Sequence, residues 1–169
     1  SVKTTETRNR CSENRNWLML YRKGVLDDTD QILVLGRQMH KESAFASLDW
    51  SDKKAANLFK TCVSNKNYCC FVAEKDGVLK GMIAGKVSEY FFGHDKILSD
   101  FVWFVDQENR GTMASIRLLK MFIGFGKQWN VAEVCIGVST QVLLDRTDKL
   151  LKRFDFENVG GTYKLMMKG

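Results

Sequence analysis

An Asp-Gly pair between two apolar runs constrains this chain more than any other feature. Residues 68–74 (Tyr-Cys-Cys-Phe-Val-Ala-Glu) and 78–90 are rich in aliphatic and aromatic side chains, and only Lys75-Asp76-Gly77 separates them. A turn this short needs positive φ at its centre, which Asp and Gly tolerate, so the two runs must return antiparallel. A third apolar run, 97–105, follows the loop Phe91-Phe92-Gly93-His94-Asp95 and extends the meander. Such a sheet has to be covered by other elements to bury its apolar faces.

The flanking segments supply that cover. Residues 17–21 (Trp-Leu-Met-Leu-Tyr) predict a short first strand. Asp27-Asp28-Thr29-Asp30 then offers N-cap chemistry, and Ile32, Leu35, Gly36, Met39 and Ser43 fall at helical spacing, predicting a helix from about 28 to 42. A second helix starts at Ser51-Asp52 and runs through Ala55, Leu58, Phe59 and Cys62. After residue 105 come a charged loop and a helix to about 128, whose apolar face is Ala114, Leu118, Met121, Phe122 and Phe125. A buried strand over 131–138, a polar helix over 143–154 and a last strand pair within 156–167, turning at Gly160-Gly161, complete the pattern. The expected fold is mixed α/β: a mostly antiparallel central sheet flanked by helices, with strand-helix-strand crossovers in the second half.

A chain of 169 residues fits one domain. Residues 1–16 carry Lys3, Arg8, Arg10 and Arg15 but only Val2 and Cys11 as clear apolar residues, so they read as a basic arm before a single domain over 17–169. The absence of proline excludes cis-prolyl turns and polyproline segments. A net charge of +6 favours anionic partners without choosing among nucleic acid, acidic protein and a phosphorylated cofactor. Cys11, Cys62, Cys69, Cys70 and Cys135 form no Cys-x-x-Cys pair and have only two histidines to help, which indicates neither a metal site nor a disulfide framework. Free thiols and the lack of a long apolar run or signal-like amino terminus lead to the expectation of a cytoplasmic protein with no membrane association.

The chemistry concentrates where residues 104–115 join a strand to a helix through a loop ending in Arg110-Gly111. The free amides and dipole of a helix's first turn attract phosphate, and Gly111, Ala114 and Ser115 allow close approach to the backbone. A plain strand-helix loop with a surface Arg is the competing reading. The strand ending in Val105, the Arg110-Gly111 pair and the helix after it resemble the coenzyme-binding motif of the GNAT superfamily, the acyl-CoA-dependent N-acetyltransferases. The resemblance covers about residues 17–167, because the element order is also similar. Met39-His40-Lys41-Glu42-Ser43, Glu89-Tyr90-Phe91-Phe92-Gly93, Arg110-Gly111-Thr112-Met113-Ala114-Ser115 and Gly137-Val138-Ser139-Thr140 are similar to segments of small GNAT proteins of tailed bacteriophages.

The resemblance implies a fold with a splay between its fourth and fifth strands, and acetyl-CoA as cofactor. The backbone of Phe104 and Val105 would pair with the pantetheine arm, and Arg110, Gly111, Thr112, Met113, Ala114 and Ser115 would hold the pyrophosphate. Ser139 and Thr140 would bond the same arm or cap the next helix. The chain departs from the family pattern at several points: Met113 stands at the first motif Gly, Ser115 at the second, and Gln107 where Pro is frequent. In the late helix Leu144, Thr147, Leu151 and Asp155 occupy the positions of the family's Asn, Ala, Tyr and Gly. Leu151 cannot protonate a departing thiolate, which leaves Tyr163, Ser139, water, or a loss of the reaction.

The resemblance further implies direct acetyl transfer to an amine acceptor: a protein, a nucleobase or a small molecule. A lysine-like amine is only about 0.04% neutral at pH 7, so a base must help. Asp100 lies roughly where many family members place an acidic base; its plain reading is a strand-end cap. Glu89 is a second candidate for proton transfer. His40, Glu42 and Tyr90 border the expected acceptor cleft, although a lone histidine is more often a core or surface residue and a helical Glu is usually solvated. The alternative function is a catalytically degenerate GNAT-fold module that binds nucleic acid or a protein within a virion; a homodimer and, for a phage protein, the host cytoplasm remain open.

Overall fold

The computed structural model describes residues 18–138 and 143–167. The basic arm over 1–16, with Ser139 and Thr140, lies outside the described residues. β1 (Leu20–Lys23), β2 (Tyr68–Lys75), β3 (Val78–Glu89), β4 (Lys96–Val105) and β5 (Glu133–Cys135) form one sheet in that order. All neighbours are antiparallel except β4 and β5. Asp76 and Gly77 both take positive φ, 52° and 76°, so the β2–β3 turn forms at the predicted pair.

Alternation along the strands gives the sheet two buried faces. Val72, Met82 and Phe104 pack under α1 (Thr29–Glu42) and α2 (Asp52–Ser64), against Ile32, Leu35 and Phe59. Phe71, Ile83 and Leu98 pack under α3 (Ala114–Gln128), against Leu118 and Phe122, which is fully buried. The helices start where local chemistry dictates: the Ser51 hydroxyl accepts from the Lys54 amide at 3.3 Å. Arg22 grips the buried Asp28 through two bonds and reaches Glu74, tying β1 to the start of α1. That grip holds the Asp28 carboxyl below its ordinary range.

Three expectations need correction. The first strand starts at Leu20 rather than 17, and Trp17 lies outside the described residues. β5 spans three residues rather than 131–138, because its pairing with β4 ends at Ser99 opposite Cys135. The final strand pair is absent: residues 156–167 carry no strand, and Val159, Tyr163, Leu165 and Met167 are exposed. A two-stranded ribbon standing off a sheet is marginal in water, and this segment bonds to no strand of the sheet. α4 (Leu144–Lys152) forms as expected and is shorter by a residue or two at each end.

Candidate functional site

The site begins where two parallel strands part. β4 bonds to β5 through Ser99, but not beyond. On its other edge, Gly85 pairs with Asp100 and Ala84 with Val102, so Phe101 is an extra residue in a β-bulge. A bulge bends its strand and re-aims side chains. Here the bend brings the Asp100 carboxylate to the amide of Gly137, whose N–H donates to Oδ1 at 2.7 Å. The next rung of the β4–β5 ladder is therefore a side chain, and the strands diverge around a cavity of about 390 Å3.

Residues 100–105 form one wall of this cavity and Ile136, Gly137 and Val138 the other. Burial pushes the Asp100 carboxyl up to about 6, against the opposing pull of the Gly137 amide. At neutral pH it is an ionised carboxylate able to take a proton.

One end of the cavity is the loop to α3. The Asp106 carboxylate accepts from the Asn109 amide at 3.1 Å and sets a single 3-10 turn, after which Gly111 adopts φ +80°. No atom lies within 4 Å of where a Gly111 Cβ would sit, so the backbone there is open to close approach. The Thr112 hydroxyl accepts from the Ala114 amide at 3.2 Å. Ser115 and Ile116, in the first turn of α3, line the cavity. First-turn amides have no intrahelical acceptor; Thr112 takes that of Ala114, and those of Ser115 and Ile116 are donors that could hold an anion. Arg110 donates from Nε to the Val105 carbonyl at 3.0 Å, lies over the Phe104 ring and forms an ion pair with Glu42. Burial works to raise the Glu42 carboxyl, but its bonds from Arg110 and Gln38 prevail and hold it below its ordinary range.

Of the residues singled out in the sequence, Asp100, Phe104, Val105, Arg110, Gly111, Thr112 and Ser115 line this one cavity. Glu42 reaches it through Arg110. Ala114 is buried in the core under α3, and Met113, the N-cap of α3, is 53% exposed; neither lines the cavity. Glu89 sits at the far end of β3, opposite Lys96 and 3.7 Å from His94. Tyr90 lies near it, stacked on Phe92 and donating its hydroxyl to Glu133; that bond pushes its pKa up to about 12. His40 packs on Trp50 with a buried Nε2 that has no partner among the described residues, and Tyr163 is fully exposed. None of these four lines the cavity.

Leu151 is buried, so the position aligned with the family's Tyr faces inward. Leu143, Thr147 and Leu150 face the cavity instead, with Arg146 beside them. Their spacing of three to four residues is a readable helical stripe. Met39 and Phe45 also line the cavity. Phe45 sits in the loop after α1, where no periodicity marks it.

No protein-family model matches the sequence, and no curated protein sequence matches it. Solved structures do match in shape. A predicted acetyltransferase with acetyl-CoA from Clostridium acetobutylicum has a TM-score of 0.69 at 17% identity, covering 89% of this chain and 97% of its own. An aminoglycoside N-acetyltransferase in complex with a CoA bisubstrate analogue has a TM-score of 0.70 at 15% identity, over 90% and 99%. A transcriptional regulator from Bacillus halodurans C-125 has 0.72 at 14% identity, over 89% and 100%. The chain has the fold of the GNAT acetyltransferases.

Proposed function

We propose that this protein is an acetyl-CoA-dependent N-acetyltransferase acting directly on an amine. The observation that carries the reading is the parting of β4 from β5 around a buried carboxylate, at the mouth of a glycine-containing loop that opens a helix. The site's chemistry suits the cofactor: unpaired strand edges for an amide-bearing arm, first-turn amides and a guanidinium for phosphates. Solved structures of the same fold with acetyl-CoA and a CoA analogue support it.

Acetyl-CoA would supply an activated thioester. The backbone groups of residues 102–105 hold the pantetheine arm, and the amide of Val105 polarises the thioester carbonyl. The amides around Gly111 to Ile116 receive the pyrophosphate, for which Arg110 must trade its contact with Glu42. Asp100, ionised above about pH 6, takes the proton from the attacking amine. The amine nitrogen gains the acyl carbon, the carbon–sulfur bond breaks, and the thiol leaves with a proton delivered from water.

Calorimetry with acetyl-CoA tests the reading. Binding in the micromolar range is expected, weakened by at least about 10-fold in Arg110→Glu, where a like charge faces the phosphates. No binding at millimolar acetyl-CoA would overturn it. Binding without turnover on any primary amine would instead leave a module that kept the cofactor site and lost the reaction.

A further inference from the structure

Resting on that reading, we propose that Lys164 is an intramolecular acetyl acceptor of this site, presented to it by the chain's own C-terminal segment. The Lys164 ammonium lies 4.3 Å from the centroid of the Phe45 ring, and Phe45 lines the cavity that Asp100 also lines. A cation over an aromatic face is a recognised resting geometry for an amine. Among the described residues Lys164 has no carboxylate partner. Lys164 is exposed, as are its neighbours Tyr163 and Leu165, and of the three it is the side chain that meets the Phe45 ring.

The segment is built to deliver a side chain rather than to hold one. Among the described residues, its backbone from 157 to 167 makes no bond to other backbone groups. Gly160 and Gly161 have open space where a Cβ would stand, which gives a hinge just before Lys164. Three extended residues span up to about 10 Å, so a modest swing moves the amine from the Phe45 ring into the cavity. In the transfer, the Lys164 nitrogen bonds to the acyl carbon of acetyl-CoA and the carbon–sulfur bond breaks. The ammonium first gives up one proton to solvent; as the neutral amine attacks, its next proton passes to Asp100, and the CoA thiolate leaves as the thiol with a proton delivered from water.

The full chain is incubated with acetyl-CoA and each lysine followed over time by tandem mass spectrometry. A tethered amine enjoys an effective concentration near millimolar, so Lys164 should be acetylated at least about 10-fold faster than the exposed Lys53 and Lys54 of α2. The rate per molecule should stay constant on dilution. Asp100→Asn, checked for folding by circular dichroism, should bring Lys164 down to the rate of those reference lysines. Lys164 modified no faster than Lys53, or at a rate that falls with protein concentration, overturns the proposal. So does unmodified Lys164 in a protein shown by calorimetry to bind acetyl-CoA; absence of that binding overturns the acetyltransferase reading as well.

Discussion

The two halves of β4 are made of similar residues and have opposite fates. Residues 96–99 pair with β3 on one edge and with β5 on the other, and Leu98 between them is fully buried. Residues 100–105 keep β3 but, among the described residues, have no strand on the second edge, which faces the cavity instead. The boundary is set by one bulged residue, Phe101, and one carboxylate, Asp100, that takes the amide of Gly137. In the closed half the backbone groups are engaged in ladders on both edges, which contributes stability. In the open half the corresponding groups border the cavity, apart from the Val105 carbonyl, which accepts from Arg110 Nε. The open half thus gives up the ladder bonds that the closed half keeps.

Asp100→Asn attacks that boundary and should have the largest effect. Under the proposed function this variant lacks the base, and turnover should fall by about 10²–10⁴-fold. Asparagine keeps an oxygen for the Gly137 amide, so the cavity should persist. The fold should gain stability meanwhile. The folded chain holds the Asp100 proton up to about pH 6, while the free side chain releases it near 3.8. Stability from this group therefore falls as pH rises between those values, and the ionised carboxylate costs up to about 3 kcal/mol at neutral pH. Urea melts at pH 4 and pH 8 check this: the Asp100→Asn protein should exceed the parent only at the higher pH. Equal gains at both would refute the assignment of burial as the cause.

Gly85→Ala tests the closed half. A Cβ at this position would lie 2.4 Å from the Ser99 carbonyl oxygen and 2.6 Å from the Phe122 ring. The backbone oxygen belongs to the central ladder and the ring to the core under α3, so neither can yield cheaply. A loss of about 3 kcal/mol is expected, at the upper end for overpacking. Thermal or urea unfolding reads it directly. A loss below about 1 kcal/mol would mean that the closed half is no tighter than the open one.

The closed half was also the more legible in the sequence. The Asp76-Gly77 turn fixed the pairing of β2 and β3, and the two-residue alternation of the strands is what puts Ile83 and Leu98 on one face. The loop of Arg110 and Gly111 was legible too, since a Gly between a strand and a helix predicts a turn at positive φ, and Gly111 takes φ +80° just before α3. What escaped was decided by contacts distant in sequence. The bulge at Phe101 depends on how Gly85 and Asp100 meet across strands, and Phe45 reaches the cavity because of how α1 and α2 are joined. The apolar residues after 156 read as strands because hydrophobicity marks a tendency to be covered, not the existence of a partner. Tyr90 and Glu89 looked close to the site along the chain, yet β3 carries them to the opposite end of the sheet from Arg110.

Gly137→Ala makes the same chemical change on the open side and should do least. Among the described residues a Cβ there would meet only the Asp100 Oδ1, at 3.6 Å, an ordinary contact. The added methyl restricts the unfolded chain and crowds none of the described residues, so stability should change by less than about 1 kcal/mol. It does, however, fill space beside the carboxylate that solvent would otherwise reach. Loss of hydration disfavours the charged form, so the acid limb of the rate profile should move above its expected position near pH 6, while the plateau rate stays close to the parent's. A pH–rate series on the folded variant measures the shift. Unfolding as severe as that of Gly85→Ala would show that the two halves of β4 are packed alike, and that the gap between β4 and β5 closes in solution.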